Sequence, residues 1–275
     1  MAREDCALCK GTGWKLVPRK DGAAGQMAVA CECGMEERAE KVMERARVPK
    51  RYEHCDFESY VTDLVDGKTY TSENCSALKS AKLMVQGFVR DYPGGDQSGL
   101  LLMGNSGIGK THLAVAALKE LVGRGHSGYF CEYGALLREI QNSYRSDSEA
   151  SEVRILQPIL SSEVVVIDDL GCIKPSDWVR DMVGYILNSR YAEGSRDLSH
   201  PRCTIITTNY IDNPRSEGEV TRLPSGRPVT PVRDDSLAAR IGERMRSRLY
   251  EMCRKIEVQA PDFRREARQA GRARA

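Results

Sequence analysis

The chain has no long apolar run. None of its hydrophobic stretches approaches the 18 or more residues of a membrane span, so no transmembrane helix is expected. The first residues, Met-Ala-Arg-Glu-Asp-Cys, contain no apolar core of a secretory signal, and a cytoplasmic location is expected. Aromatic residues are few, at 6%. Net charge is only +2, so the total points to no strongly charged partner. Charged residues at 29% and hydrophobic ones at 41% exclude a disordered chain. At 275 residues the chain has room for one good-sized core and something small.

What is present is unevenly distributed. The ten cysteines include a cluster, Cys6, Cys9, Cys31 and Cys33, while the other six are spread singly. Without an export signal, disulfides are not expected and the cluster reads as a metal site. Cys6-x-x-Cys9 and Cys31-x-Cys33 supply four thiolates, enough for tetrahedral structural Zn²⁺. The residues between the pairs can form a small hairpin. C-x-C is tighter than usual zinc spacing, so His54 or Cys55 could replace Cys31 or Cys33. Free thiols and redox chemistry remain as alternatives. The stretch from Leu237 onward carries eleven Arg/Lys and five Asp/Glu, a local net of +6. It is either a solvated basic end or a phosphate-facing one.

Residues 34–97 open with a candidate helix whose Met35, Ala39, Val42, Met43 and Ala46 share a face. Between residues 98 and 211, short apolar runs alternate with helical patterns. Gly99–Met103, Glu163–Ile167 and Cys203–Thr207 read as strands buried on both faces, and Gly128–Cys131 as a weaker one. Leu113/Ala117/Leu118/Leu121 and Trp178/Met182/Ile186/Leu187 read as helix faces. This alternation argues a three-layer α/β domain with a parallel sheet. Residues 212–236 hold four of the eleven prolines and read as a long loop.

Gly104-Asn105-Ser106-Gly107-Ile108-Gly109-Lys110-Thr111 fits the phosphate-loop pattern G-x-x-x-x-G-K-[ST]. Its glycines let backbone N–H groups point at phosphates, and the following helix adds its positive dipole end. Lys110 is placed for the β/γ-phosphates and Thr111 for Mg²⁺. The strand ending in Asp168-Asp169 lies 58 residues after Lys110. Asp168 is the candidate for the Mg²⁺ shell and Asp169 for polarising a water. Asn209, at the end of the next strand, is the candidate γ-phosphate sensor, or else a turn residue before Asp212-Asn213-Pro214.

The order of these motifs resembles the AAA+ ATPases of the DnaC helicase-loader group, to which the transposition helper IstB also belongs. The resemblance is carried by the phosphate loop, Val166–Gly171, Thr207–Tyr210, the Arg-rich stretch Ile241–Cys253 and the linker-like segment Ala46–Phe57. It implies Mg²⁺ with ATP as the cofactor, and a nucleotide-binding set of Gly104–Thr111 with His112 and Arg264. Arg248 matches the arginine finger that reaches a neighbouring subunit's γ-phosphate, and Arg264 matches the second-sensor arginine. Both could instead be solvated arginines on a basic surface. Seventeen residues, 259–275, follow the last expected strand, Arg254–Val258, too few for the full helical lid of most AAA+ proteins.

The expected organisation is a Cys-rich zinc-binding arm and helix (1–45), a linker (46–97) and the AAA+ core (98–275). The function implied is ATP-dependent loading of a hexameric replicative DNA helicase onto single-stranded DNA, with self-assembly through the ATP interface and no membrane partner. The alternative is an IstB-like transposition helper acting with a transposase on duplex DNA. A nucleotide-gated adaptor with negligible turnover is a third reading, disfavoured because Lys110, Thr111, Asp168, Asp169 and Asn209 are all present. The segment Leu136–Arg145 is a candidate DNA contact through Arg138, Tyr144 and Arg145. The preferred reading of that segment is a helix packing Leu137 and Ile140 on the core.

Overall fold

A computed structural model describes residues 5–18, 25–31, 43–44, 46–63, 71–95, 97–144, 150–194, 202–211 and 236–264. The chain divides into two compact units, Met1–Arg47 and Val48–Ala275. Most of the candidate helix at 34–46 and nearly all of the proline-rich stretch 212–236 lie outside the described residues.

In the first unit, strands β1 (Trp14–Pro18) and β2 (Gln26–Ala30) pair antiparallel, with Trp14 opposite Ala30 and Pro18 opposite Gln26. A cysteine-bearing turn precedes them. The N–H of Lys10 donates to the Cys6 carbonyl at 2.8 Å, and that of Thr12 to the Cys9 carbonyl at 2.9 Å. The N–H of Cys31 closes on the Gly13 carbonyl at 2.8 Å, bringing the end of β2 back to the turn. The expected hairpin between the cysteine pairs is therefore present.

The second unit is built on a five-stranded sheet of β3 (Gly99–Gly104), β4 (Gly128–Glu132), β5 (Val164–Asp168), β6 (Cys203–Thr208) and β7 (Cys253–Val258). Their order is β4-β5-β6-β3-β7, and every pairing is parallel. Parallel strands need crossovers, and these are supplied by α2 (Lys110–Gly123), α3 (Tyr133–Ser143), α4 (Ala150–Ser161), α5 (Asp177–Gly194), α6 (Leu237–Ile241) and α7 (Glu243–Met252). Ahead of the sheet runs α1 (Ser72–Asp91), whose first turn is capped by the Thr71 side chain accepting from the Asn74 N–H.

The strands are apolar throughout because both faces are covered. Leu101, Met103, Tyr129, Val165, Ile167 and Ile206 share one core with residues of α3 to α7. The alternating residues Leu100, Leu102, Phe130, Val164, Val166 and Ile205 are equally buried, on the face covered by α1 and α2. This is the three-layer core with a parallel sheet expected from the sequence.

One buried charge was not anticipated. Arg190, on α5, is 1% exposed. Its guanidinium donates to the carbonyls of Ile159 (2.7 Å), Ser162 (3.0 Å), Glu163 (3.2 Å) and Cys203 (2.6 Å) and to the Thr204 hydroxyl (2.8 Å). It ties the end of α4 to the entries of β5 and β6. Burial pushes its pKa down to about 10, which still leaves it charged at neutral pH. Among the described residues no helix is long and apolar enough to cross a membrane.

Candidate nucleotide-binding site

β3 delivers the chain into the loop Gly104–Gly109, and α2 starts at Lys110. Two glycines here have steric reasons. Gly104 has φ 142°, and a Cβ on it would overlap the backbone carbonyl of Val258 at the end of β7. Gly107 has φ 80°, and a Cβ on it would overlap the Asp262 carboxylate. Asn105 and Ser106 form an exposed crest, and Ile108 is buried beneath it. Tyr60 supports the loop from outside, its hydroxyl donating to the Ile108 carbonyl at 2.9 Å.

Lys110 is only 8% exposed. Its ammonium donates to the carbonyls of Gly104 (2.8 Å) and Asn105 (2.7 Å) and to Asn209 Oδ1 (2.7 Å). These bonds use all three ammonium protons. Burial pulls its pKa down to about 8, opposed by the nearby carboxylates of Asp169 and Asp168.

The carboxylates come from the end of β5. Asp168 Oδ1 accepts from the Thr111 hydroxyl (2.8 Å) and from the Thr207 hydroxyl (2.7 Å). Burial raises its pKa, and those two hydrogen bonds oppose the rise. Asp169 Oδ1 accepts from Asn209 Nδ2 at 2.8 Å, and its own N–H donates to the Thr207 hydroxyl at 2.8 Å. Its φ is 60°, a left-handed conformation that Asp tolerates better than most residues. Burial also raises the Asp169 pKa, with Lys110 pulling the other way. Asn209 therefore bridges Lys110 and Asp169 with the two ends of one amide. Thr207, which enters the sequence reading only as the first residue of the Thr207–Tyr210 stretch and without a role at the site, binds both acidic residues. Its only signal was a polar residue at the last turn of an apolar strand.

The C-terminal segment closes on the loop. Phe263 N–H donates to the Gly107 carbonyl at 3.1 Å, and Arg264 N–H to Asp262 Oδ1 at 2.9 Å. The Arg264 charge is near enough to depress the Lys110 pKa further. Arg264 thus lies near the loop. Arg248 lies elsewhere, on α7, with its guanidinium 5.7 Å from the Tyr191 ring centroid. No hydrogen bond or ion pair among the described residues joins it to the Lys110 cluster. His112 turns toward the segment ahead of α1, its Nε2 donating to the Asp56 carbonyl at 2.7 Å.

The oxygen donors fit a hard cation. Thr111 Oγ1 and the Asp168 carboxylate converge beside the lysine, the set Mg²⁺ takes alongside phosphate oxygens. In the first unit, the sulfurs of Cys6, Cys9 and Cys31 all lie within 4.8 Å of one another, with Cys6 and Cys31 3.7 Å apart. The fourth candidate, Cys33, lies outside the described residues. In the candidate DNA segment, Leu137 and Ile140 are buried in the core, as the packing reading expects. Arg138 sits 4.0 Å from Glu132, Tyr144 is exposed with its ring edge against Trp178, and Arg145 is outside the described residues.

A family model described as IstB-like ATP binding protein matches residues 35–210. The chain belongs to this family. Among its relatives is the replicative helicase loader DnaC of Escherichia coli K12, 24% identical over 151 residues, covering 55% of this chain and 56% of DnaC. The chain thus spans just over half the length of that curated relative. The phage-like element PBSX protein XkdC of Bacillus subtilis is 25% identical over 260 residues, covering 92% of this chain and 80% of XkdC. Among solved structures, a crystal structure of the DnaC helicase loader superposes with a TM-score of 0.55 at 30% identity, covering 76% of this chain and 99% of that one. These relatives place this IstB-like chain among phosphate-loop AAA+ proteins with helicase-loader homologues.

Proposed function

We propose that the chain is an ATP-dependent loader of the replicative DNA helicase, binding ATP in the Lys110 cluster and hydrolysing it at a subunit interface. The observation that carries the reading is the joined constellation of Lys110, Asn209, Asp169, Asp168 and Thr111 in a chain similar along its core to DnaC.

Hydrolysis transfers the γ-phosphoryl group to water, breaking its bond to ADP. Lys110 would leave its carbonyl partners for the β/γ-phosphate oxygens and neutralise charge there. Thr111 and Asp168 would hold Mg²⁺ with ATP, which would supply further neutralisation of the phosphates. Asp169 would orient the attacking water and take its proton. Its raised pKa brings it closer to the range in which a carboxylate is an effective base. Asn209 holds that carboxylate and would contact the γ-phosphate. Arg248 of a neighbouring copy would complete the charge, making turnover depend on assembly. Arg264, at the loop, would contact the phosphates of its own subunit.

In the arm, Cys6, Cys9 and Cys31 with Cys33 would hold structural Zn²⁺, and residues 1–50 would engage the hexameric helicase. Single-stranded DNA is the expected nucleic-acid partner. The family description favours one second reading, an IstB-like transposition helper working with a transposase on duplex DNA.

The test is ATP turnover by the full chain with and without the host helicase. Asp169→Asn keeps an oxygen acceptor for Asn209, so nucleotide affinity should hold within about twofold while turnover falls roughly 10²-fold or more. Full turnover in Asp169→Asn would remove the proposed base. Stimulation by a transposase and duplex DNA, with none by helicase, would decide for the second reading.

A further inference from the structure

His54, Cys55 and His112 converge outside the nucleotide-binding cluster. One ring nitrogen of each histidine and the Cys55 sulfur all lie within 4.8 Å of one another. The sulfur is 4.0 Å from His54 Nε2, and the two imidazoles meet edge-on with centroids 6.2 Å apart. In a tetrahedral zinc site, with Zn–S near 2.3 Å and Zn–N near 2.0–2.1 Å, sulfur and nitrogen ligands stand about 3.5 Å apart. Closing this cluster on an ion therefore takes side-chain movement of a few tenths of an ångström for that pair.

The surroundings are organised for this task. A carbonyl oxygen only accepts, so the bond from His112 Nε2 to the Asp56 carbonyl fixes the proton on Nε2 and leaves Nδ1 its lone pair. An N–H donated to a backbone carbonyl is the usual outer support of a metal-binding imidazole. Ser59 fixes the other strand of the cluster, donating from its hydroxyl to the His54 carbonyl at 2.7 Å and from its N–H to Asp56 Oδ1 at 2.7 Å. Cys55 is buried and His54 is exposed, so the thiol is shielded while one side opens to water.

We propose that His54, Cys55 and His112 form a soft-metal site for Zn²⁺, separate from the Cys6–Cys9–Cys31 cluster, with a fourth position open to water. Ligand softness and number suit zinc, and three protein ligands with an open position suit an exchangeable ion. His112 follows Thr111 directly, so a bound ion ties residues 54–59 to the first turn of the nucleotide-binding helix. The site does not depend on whether the chain loads a helicase.

The test uses Co²⁺ as a spectroscopic stand-in for Zn²⁺, on the reduced full-length chain carrying Cys6→Ser, Cys9→Ser and Cys31→Ser to silence the arm. One equivalent should bind with a thiolate-to-cobalt charge-transfer band and tetrahedral d–d absorption, and Zn²⁺ should bleach both. Adding Cys55→Ser should abolish the thiolate band. Adding His54→Ala, at an exposed side chain that leaves the fold intact by circular dichroism, should weaken Co²⁺ binding at least tenfold. The unsubstituted chain should then bind one more equivalent than its Cys55→Ser variant. Absence of a thiolate band in the arm-silenced chain, or one that survives Cys55→Ser, would overturn the proposal.

Discussion

Lys110 gives the sharpest prediction, because its charge is needed for phosphate and its burial works against that charge. A fall in pKa from 10.5 to about 8 corresponds to about 3 kcal/mol, at about 1.4 kcal/mol for each tenfold change in proton binding. Phosphate oxygens would stabilise the ammonium, so the complex keeps the proton that the free protein loses above pH 8. Nucleotide affinity should therefore be flat below about pH 7, about twofold weaker at pH 8 and about tenfold weaker at pH 9. Fluorescent ADP titrations across pH 6.5–9.5 read this directly. Lys110→Arg keeps a charge that does not titrate there, so its profile should be flat whatever its absolute affinity. Stability is the poorer readout. A lysine whose folded pKa is depressed adds stability as pH rises from about 8 to 10.5. Cys131, Cys172, Cys203 and Cys253, whose thiols are pushed up by burial, subtract it as their unfolded counterparts ionise. A wild-type affinity that stayed level to pH 9.5, or the same slope in Lys110→Arg, would refute the reasoning.

Other outcomes follow from the same structure. Gly104→Ala should cost about 3 kcal/mol and lower the melting temperature, because the new Cβ meets the Val258 backbone rather than a movable side chain. Arg190→Leu should cost roughly 4 kcal/mol, about 10 °C of melting temperature, since it removes the guanidinium from the buried Ile159 and Cys203 carbonyls and the part-buried Ser162 carbonyl; calorimetry checks both variants. Arg248→Ala should leave ADP affinity unchanged but cut turnover by about 10³-fold, measured with protein concentration varied. Mixing Arg248→Ala with Asp169→Asn subunits should recover part of the activity, which a role within one subunit would not allow.

The sheet was legible because parallel strands covered on both faces are continuous apolar runs, as in Leu100–Met103 and Val164–Ile167. The phosphate loop was legible because its glycines and lysine are close in sequence. Contacts made across the fold were not. Asp262 against Gly107, Tyr60 on Ile108 and Thr207 on Asp168 join residues from 39 to 155 positions apart, with no local pattern. Arg190 carries no outward sign either, since its partners are backbone carbonyls whose identity the sequence does not encode. α4 includes Pro158, a residue that argues against a helix when read locally, yet the helix holds with Ile159 fully buried. Arg248 and Arg264 looked alike in sequence as arginines on a basic end. The structure separates them, one at the phosphate loop and one over Tyr191.

The central claim is that ATP binding at Lys110 governs engagement of a helicase ring. Gel filtration of the full chain with the host's hexameric replicative helicase, in ATP and then in ADP, tests it most directly. A complex that forms in ATP, weakens in ADP and is lost with Lys110→Ala is the predicted result. No complex in either nucleotide, or one indifferent to Lys110→Ala, would contradict it.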